Sequence, residues 1–346
     1  MTDTNFGCLP TMIGSMPHTD PVRACSQATR YLKDIPAWPQ LPERSYLENM
    51  YVQYSEGFPG VVIEDNRIYV DRHKEDIAES MGSLYYSYNE DEEKYDVDQY
   101  PTSNNFAKGL HTFLTFNNLS PLAVKGHVTG PITWGLTVKD EEGRSIIYDD
   151  LFQDMVAIFL GLKAGWQEKV LSNISKNTII FVDEPYMSAY GSVAVPFDKN
   201  RVVILLDKVF KVIKGIKGVH CCGNTDWSVL LETSTDIISY DTYNYAESLS
   251  LYPAEVKKLL DRGGAIAWGI VPNEADSLAK ETVASLKDRL EEAIAPFTRN
   301  GIRFKQLISQ GLLTPSCTLT PLSEEASGQA LELLVELSAA IRKRYL

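Results

Sequence analysis

His220 and Cys222 stand two residues apart in Gly218-Val-His-Cys-Cys-Gly223, and Cys317 lies far downstream in Thr314-Pro-Ser-Cys-Thr318. Successive side chains of a strand alternate faces, so the imidazole and the Cys222 thiol share one face while Cys221 points to the other. Imidazole with thiolate is a zinc ligand set, and zinc takes four protein ligands, or three plus an open position when it is catalytic. Cys317 would supply the third ligand. Asp241, directly after Asp236-Ile-Ile-Ser-Tyr240, is the candidate fourth. Supporting another ligand or capping the following helix are its alternative roles. Two thiolates and a neutral imidazole suit a zinc that keeps a substrate thiol in its nucleophilic thiolate form. The chemistry expected of such a site is alkyl transfer to a small thiol; spacing alone leaves hydrolysis open.

The remaining cysteines read differently. Cys8, Cys25 and Cys221 are expected to be small buried hydrophobes. Five cysteines, an odd number with two adjacent, do not make a disulfide framework in a chain of 346 residues.

The elements that must position these residues are short apolar segments, each followed by a stretch of helical spacing. Eight such segments are expected as strands: Leu9–Ser15, Ile35–Leu41, Leu122–Thr129, Thr178–Glu184, Gly218–Cys222, Ile237–Thr242, Ala265–Val271 and Leu312–Cys317. Helices are expected over Pro21–Leu32, Tyr148–Ser175 (as one element or two), Lys199–Ile213, Glu274–Phe297 and Glu324–Tyr345. This alternation predicts an α/β fold, a single (β/α)8 barrel of the TIM type spanning residues 1–346. One excursion at about 60–100 interrupts it. Gly60–Asp71 reads as an inserted β-hairpin turning at Glu64-Asp-Asn-Arg67, a rim or lid element, and the acidic, tyrosine-rich Tyr85–Tyr100 continues it.

A barrel of this kind carries its chemistry at the carboxyl ends of its strands. There the expected strands deliver Ile13-Gly14-Ser15, Thr129-Gly130-Pro131, Asp183-Glu-Pro185, His220 with Cys222, Asp241 and Cys317. Asp183 or Glu184 could pair with a substrate ammonium, or the segment could simply be a strand-end turn stiffened by Pro185. Ile13-Gly-Ser15 could offer backbone N–H groups and a hydroxyl to a carboxylate, or be a tight turn.

Composition narrows the partners. A formal net charge of −13 argues against nucleic acid, whose binding depends on Lys and Arg at the phosphates. No apolar run approaches the roughly 18 residues of a membrane span, and Met1–Phe6 lacks the regions of a signal peptide. A cytoplasmic protein is expected.

Several of these segments together resemble the carboxyl-terminal catalytic barrel of cobalamin-independent methionine synthase, in the superfamily that also holds uroporphyrinogen decarboxylase and methylcorrinoid:coenzyme M methyltransferases. Thr11-Met-Ile-Gly-Ser-Met-Pro17 is similar to the opening Ile-Gly-Ser segment, Thr129-Gly-Pro-Ile-Thr133 to the Thr-Gly-Pro-x-Thr turn and Val182-Asp-Glu-Pro185 to the Asp-Glu-Pro segment. His220-Cys-Cys222 matches His-x-Cys, and Pro315-Ser-Cys317 matches Pro-x-Cys. The resemblance implies a zinc-dependent methyltransferase of methionine biosynthesis. Its zinc would sit on His220, Cys222, Cys317 and Asp241, the last standing where the family has glutamate. It further implies homocysteine contacts at Ile13, Gly14, Ser15 and Asp183, with a carboxylate such as Glu48, or else Glu43, assisting. Thr129, Gly130 and Trp134 would line the donor side.

The departures concern the methyl donor. The folate-dependent enzymes carry a second, amino-terminal barrel, whereas this sequence begins almost at the Ile-Gly-Ser segment. Ala189 stands where a folate-contacting glutamate is expected, and Gly269-Ile-Val-Pro-Asn273 lacks the family's proton-donating histidine. Methyl transfer from a folate nitrogen needs a general acid; cobalt(I) departs from a methylcorrinoid without a proton. The reading that follows resembles the core methionine synthases: methylcobalamin or another methylcorrinoid, carried by a corrinoid protein, methylates homocysteine. An amine-binding Asp183 favours homocysteine over coenzyme M or another thiol without an ammonium. Porphyrinogen decarboxylation has no use for the His/Cys/Cys set, and a non-catalytic zinc- or corrinoid-binding accessory protein is the reading outside enzymology.

Overall fold

Runs such as Ile179-Ile-Phe-Val182 and Ala265–Val271 place apolar or small side chains on both faces, the pattern of a strand buried on both sides. In the computed structural model, which describes residues 5–89, 94–116 and 119–346, they are the centre of one parallel sheet. Met1–Thr4 and residues 90–93 of the acidic excursion lie outside the described residues. The strands are β1 (Leu9–Pro10), β2 (Val124–Thr129), β3 (Thr178–Asp183), β4 (Ile216–Cys221), β5 (Ile237–Tyr240), β6 (Ala265–Val271) and β7 (Gly311–Pro315). They lie in the order β1-β7-β6-β5-β4-β3-β2, every pair parallel, as a curled half-barrel.

Strand alternation divides the core in two. Ile179, Phe181, Ile216, Ile237, Ala265, Ala267 and Leu312 pack together on the inner face. Ile180, Val182, Val219, Cys221, Ile238, Tyr240, Ile266 and Trp268 join the helices on the outer face. Gly218 belongs to this arrangement because a Cβ there would stand 2.2 Å from the Phe181 ring.

The eighth expected strand, Ile35–Leu41, is not a strand of this sheet. Pro36 and Pro39 each lack the N–H a ladder needs, so only isolated bridges form, Ala37 with Lys125 on β2 and Gln40 with Ser15. The first expected strand is likewise cut to Leu9–Pro10, although the Thr11 N–H still reaches the Leu313 carbonyl at 2.9 Å.

Helices cover the outer face where helical spacing predicts them, with one correction. Tyr148–Ser175 resolves into a single helix, Asp150–Leu171, whose first N–H groups are capped by Asp149. Glu274–Phe297 is instead two helices, Ala275–Leu278 and Val283–Arg299. Thr282 and Ser285 exchange side-chain and backbone hydrogen bonds in a capping box that starts the second. The hairpin forms as expected: Val61–Glu64 pairs antiparallel with Arg67–Val70 around Asp65-Asn66, both at positive φ as a type I′ turn requires. Lys139–Asp140 adds a third strand, and Arg72 fastens the hairpin by gripping Glu141 with its Nε (3.1 Å) and Nη2 (3.0 Å). Among the described residues no helix is long and apolar enough to cross a membrane.

Candidate metal centre

Strand register assembles the site. Thr129 on β2 stands beside Asp183 on β3, Asp183 beside His220 on β4, and His220 beside Ser239 on β5. This row crosses four strands near their carboxyl ends. Cys222 follows β4 directly, and Cys317 follows β7 by two residues. The ligand atoms of His220, Cys222 and Cys317 all lie within 4.8 Å of one another. Two donors about 2.0–2.3 Å from one tetrahedral zinc are separated by roughly 3.3–3.8 Å, so a small contraction brings this trio to bonding distance.

The surroundings of the trio fit a cation. His220 holds its Nδ1 3.0 Å from the Ser239 hydroxyl, while its buried Nε2 has no hydrogen-bond partner. An imidazole oriented through one nitrogen and left open at the other is the arrangement of a metal-ligating histidine. The Cys317 thiol donates to Cys222, and that hydrogen bond, with help from His220, draws Cys222 down toward thiolate. The same neighbour and burial push Cys317 up. The Cys317 loop is held by β6: the Ser316 N–H donates to the Val271 carbonyl (2.7 Å), and Asn273 accepts from the Ser316 hydroxyl (3.0 Å) and donates to the Thr318 carbonyl (2.9 Å). Cys221 is fully buried on the outer face, where burial lifts its thiol to about 12. Cys8 and Cys25 are buried thiols as well, raised to about 12 for the same reason.

Asp241 stands apart from the trio. Its Oδ1 accepts from the Asn244 N–H (2.9 Å) and its Oδ2 from the Asn244 side chain (2.7 Å), so the carboxylate caps helix Thr242–Ser250. Burial raises its pKa, against the pull of Asn244 and His220.

Asp183 is the other charge of the mouth. It is half-buried, its inner Oδ1 has no partner, and desolvation lifts it to about 6 against the attraction of His220 and Lys125. Lys125 comes from the inner face of β2. Its ammonium donates to the Ile13 carbonyl at 2.6 Å and lies 4.1 Å from the Phe181 ring centroid. The neighbouring Glu184 points elsewhere: its carboxylate accepts from the N–H groups of Ile132 (2.9 Å) and Thr133 (2.8 Å) and from the Thr133 hydroxyl (2.6 Å), capping helix Pro131–Thr137. Gly130 is required there, since a Cβ would meet that carboxylate at 2.2 Å. Thr-Gly-Pro-x-Thr and Asp-Glu-Pro are thus two halves of one joint, with Asp183 left facing the mouth.

The other residues expected at the site divide into two groups. Ile13, Gly14 and Ser15 lie against the Cys317 loop, the Ser15 carbonyl accepting from the Leu319 N–H at 2.9 Å. Gly14 fits because the His127 ring passes where a Cβ would be, at 2.6 Å. Thr129, Gly130, Trp134 and Glu48 serve as supports. The Thr129 hydroxyl donates to the Met50 carbonyl (2.6 Å); Trp134 is fully buried against Phe58 with its N–H on the Tyr51 carbonyl (2.9 Å). Glu48 is buried and paired with Arg44, one oxygen remaining without a partner. Sequence reasoning missed Ser239, Lys125, His127, Asn273, Gln40 and Gln53. A polar residue at every second position of the buried run Lys125-Gly-His127 was the available signal for two of them.

Comparison with solved structures places this architecture. A cobalamin-independent (B12-independent) methionine synthase from Shewanella sp. W3-18-1, solved in complex with selenomethionine, superimposes with a TM-score of 0.59 over 97% of this chain and 98% of that one, at 16% identity. A methyltransferase from Methanosarcina mazei superimposes with a TM-score of 0.54 over 95% of this chain and 87% of that one, at 14% identity. The chain shares their fold. No protein-family model and no curated protein sequence matches it.

Proposed function

We propose that this protein is a zinc-dependent methyltransferase that moves a methyl group from a methylcorrinoid to homocysteine, forming methionine. The observation that carries the reading is the meeting of His220, Cys222 and Cys317, from two sequence-distant strands, in a mouth that also holds a half-buried Asp183 whose inner oxygen has no partner. Ile35–Leu41, bridged to both Ser15 and Lys125, is read as the eighth stave that closes the half-barrel around this mouth. The fold shared with a methionine synthase and a methyltransferase supports it.

His220, Cys222 and Cys317 would hold the zinc, with the next position left to the substrate thiol or to Asp241 after it leaves Asn244. Bound there, zinc would supply a Lewis acid that keeps an approaching thiol deprotonated at neutral pH. Asp183 pairs with the ammonium of the amino acid; desolvation raises its carboxyl, and His220 and then Lys125 oppose that rise. A thiolate held there would take the methyl group, and a methylcorrinoid donor would supply it by keeping the electron pair of the broken carbon–cobalt bond, so that no proton would be needed by the leaving group. The 269–273 segment accords with this, because the Asn273 side chain is committed to Ser316 and Thr318 and offers no acid. A corrinoid protein is the proposed donor.

Zinc-loaded protein given methylcobalamin and homocysteine should release methionine and cob(I)alamin. Methylation of coenzyme M in preference to homocysteine would move the assignment to another thiol. Turnover with methyltetrahydrofolate alone would assign the donor chemistry of the B12-independent neighbour, and no turnover with any donor despite stoichiometric zinc would leave a non-catalytic zinc protein.

A further inference from the structure

Two of the five cysteines differ from the rest both in exposure and in facing a second sulfur. Cys222 follows β4 and Cys317 follows β7, 95 positions further along the chain. Their sulfurs belong to the trio whose ligand atoms lie within 4.8 Å of one another, and the Cys317 thiol donates to the Cys222 sulfur. Both residues are partly exposed, whereas Cys8, Cys25 and Cys221 are fully buried. Cys221 adjoins Cys222 in sequence but packs on the outer face of β4, its sulfur 3.6 Å from the Gly223 carbonyl. The bonds from the Cys317 loop to Val271 and Asn273 hold one sulfur in place against the other. Thiol–disulfide chemistry needs two sulfurs within reach of each other and of a reagent from solvent, and this pair meets both conditions.

We propose that Cys222 and Cys317 are a reversible thiol–disulfide pair, which makes the metal centre a redox switch. The oxidant is a small-molecule disulfide. One of the two protein sulfurs attacks it as thiolate; the S–S bond of the small molecule breaks, one half leaves as a thiolate and the other stays on the protein as a mixed disulfide. The second protein sulfur then displaces that half. Two protein thiols are oxidised, the small disulfide is reduced to two thiols, and the protons given up by the cysteines end on them. With both sulfurs joined, His220 is left as the one donor of the trio, and zinc is released. Reduction by a dithiol restores the site. The inference rests on reading the trio as the zinc site and is independent of the methyl donor and acceptor.

The test treats zinc-loaded protein with hydroxyethyl disulfide, follows released zinc with a chromogenic chelator, and maps peptides without reduction. A Cys222–Cys317 crosslink should appear, with one zinc ion released for each crosslink formed. Dithiothreitol followed by zinc should return the full metal content. Cys221→Ser should match the unsubstituted protein in both readouts. Cys317→Ser should form no internal crosslink and stop at a mixed disulfide on Cys222, visible as the added mass of half the reagent. A crosslink through Cys221, a mixed disulfide as the final product of the unsubstituted protein, or a Cys222–Cys317 crosslink that leaves zinc bound overturns the proposal. Recovery of both thiols unreacted, after an exposure that fully modifies the denatured chain, overturns it as well. If the unsubstituted protein takes up no zinc, the zinc-site reading fails by itself, and the peptide map of that same protein still decides whether the two sulfurs pair.

Discussion

Replacing Cys221, Cys222 and Cys317 one at a time by serine separates the metal site from the core packed behind it. The two adjacent cysteines differ by one residue and by opposite faces of β4. Zinc bound by a full set of about four protein ligands is worth roughly 10–16 kcal/mol near neutral pH, so each ligand accounts for about 3 kcal/mol, or about a hundredfold in affinity. Cys222→Ser and Cys317→Ser should each weaken zinc binding by about that factor, because both donors lie in the 4.8 Å trio. Cys221→Ser should leave zinc affinity unchanged and act on stability instead. Its sulfur is fully buried, 3.6 Å from the Gly223 carbonyl, which a hydroxyl can also use. The cost should stay near 1 kcal/mol, lowering Tm by roughly 2–4 °C. Zinc per chain by atomic emission, a chelator-competition titration and a melting curve on each variant make the comparison. Comparable zinc loss in Cys221→Ser, or wild-type affinity in Cys317→Ser, would refute the assignment of faces.

Ser239→Ala removes the group that orients the His220 ring and should weaken zinc about tenfold by the same chelator titration, leaving the zinc stoichiometry at saturation intact. Gly14→Ala drives a methyl group into the His127 ring and should cost about 1–3 kcal/mol in a denaturant titration. Combining it with His127→Ala should give a smaller loss than the sum of the two single losses. Burial alone would raise the Glu141 carboxyl, but the hydrogen bonds of Arg72 outweigh it and hold it at about 2. A carboxylate lowered on folding stabilises above its unfolded value of about 4.3, and the benefit disappears as the pH falls from there toward 2. The hairpin at 61–70 should become susceptible to proteolysis in that window, and Arg72→Ala should make it susceptible already at neutral pH.

Much of the architecture is legible along the chain because it follows from local periodicity and turn chemistry. Apolar runs located the seven sheet strands. Asp65-Asn66 between β-branched runs specified a hairpin, and strand alternation alone separated Cys221 from Cys222. Ile35–Leu41 looked like a strand by composition, yet its two prolines remove ladder donors, and the continuous spacing of Glu274–Phe297 hid a restart at Thr282.

Residue type and spacing by themselves put an imidazole, two thiols and a carboxylate at the carboxyl ends of three expected strands. Only the tertiary structure decided what each polar group does there. It committed Asp241 to Asn244 and Glu184 to the helix beginning at Pro131, left Asp183 and the His220 Nε2 without partners, and chained Ser15 to Gln40 and Gln53. A carboxylate, an amide or a hydroxyl takes its role from whichever donor or acceptor folding places within about 3 Å of it. For Glu184 and Ser15 those partners are 51 and 25 residues away in the chain, beyond the reach of any local pattern.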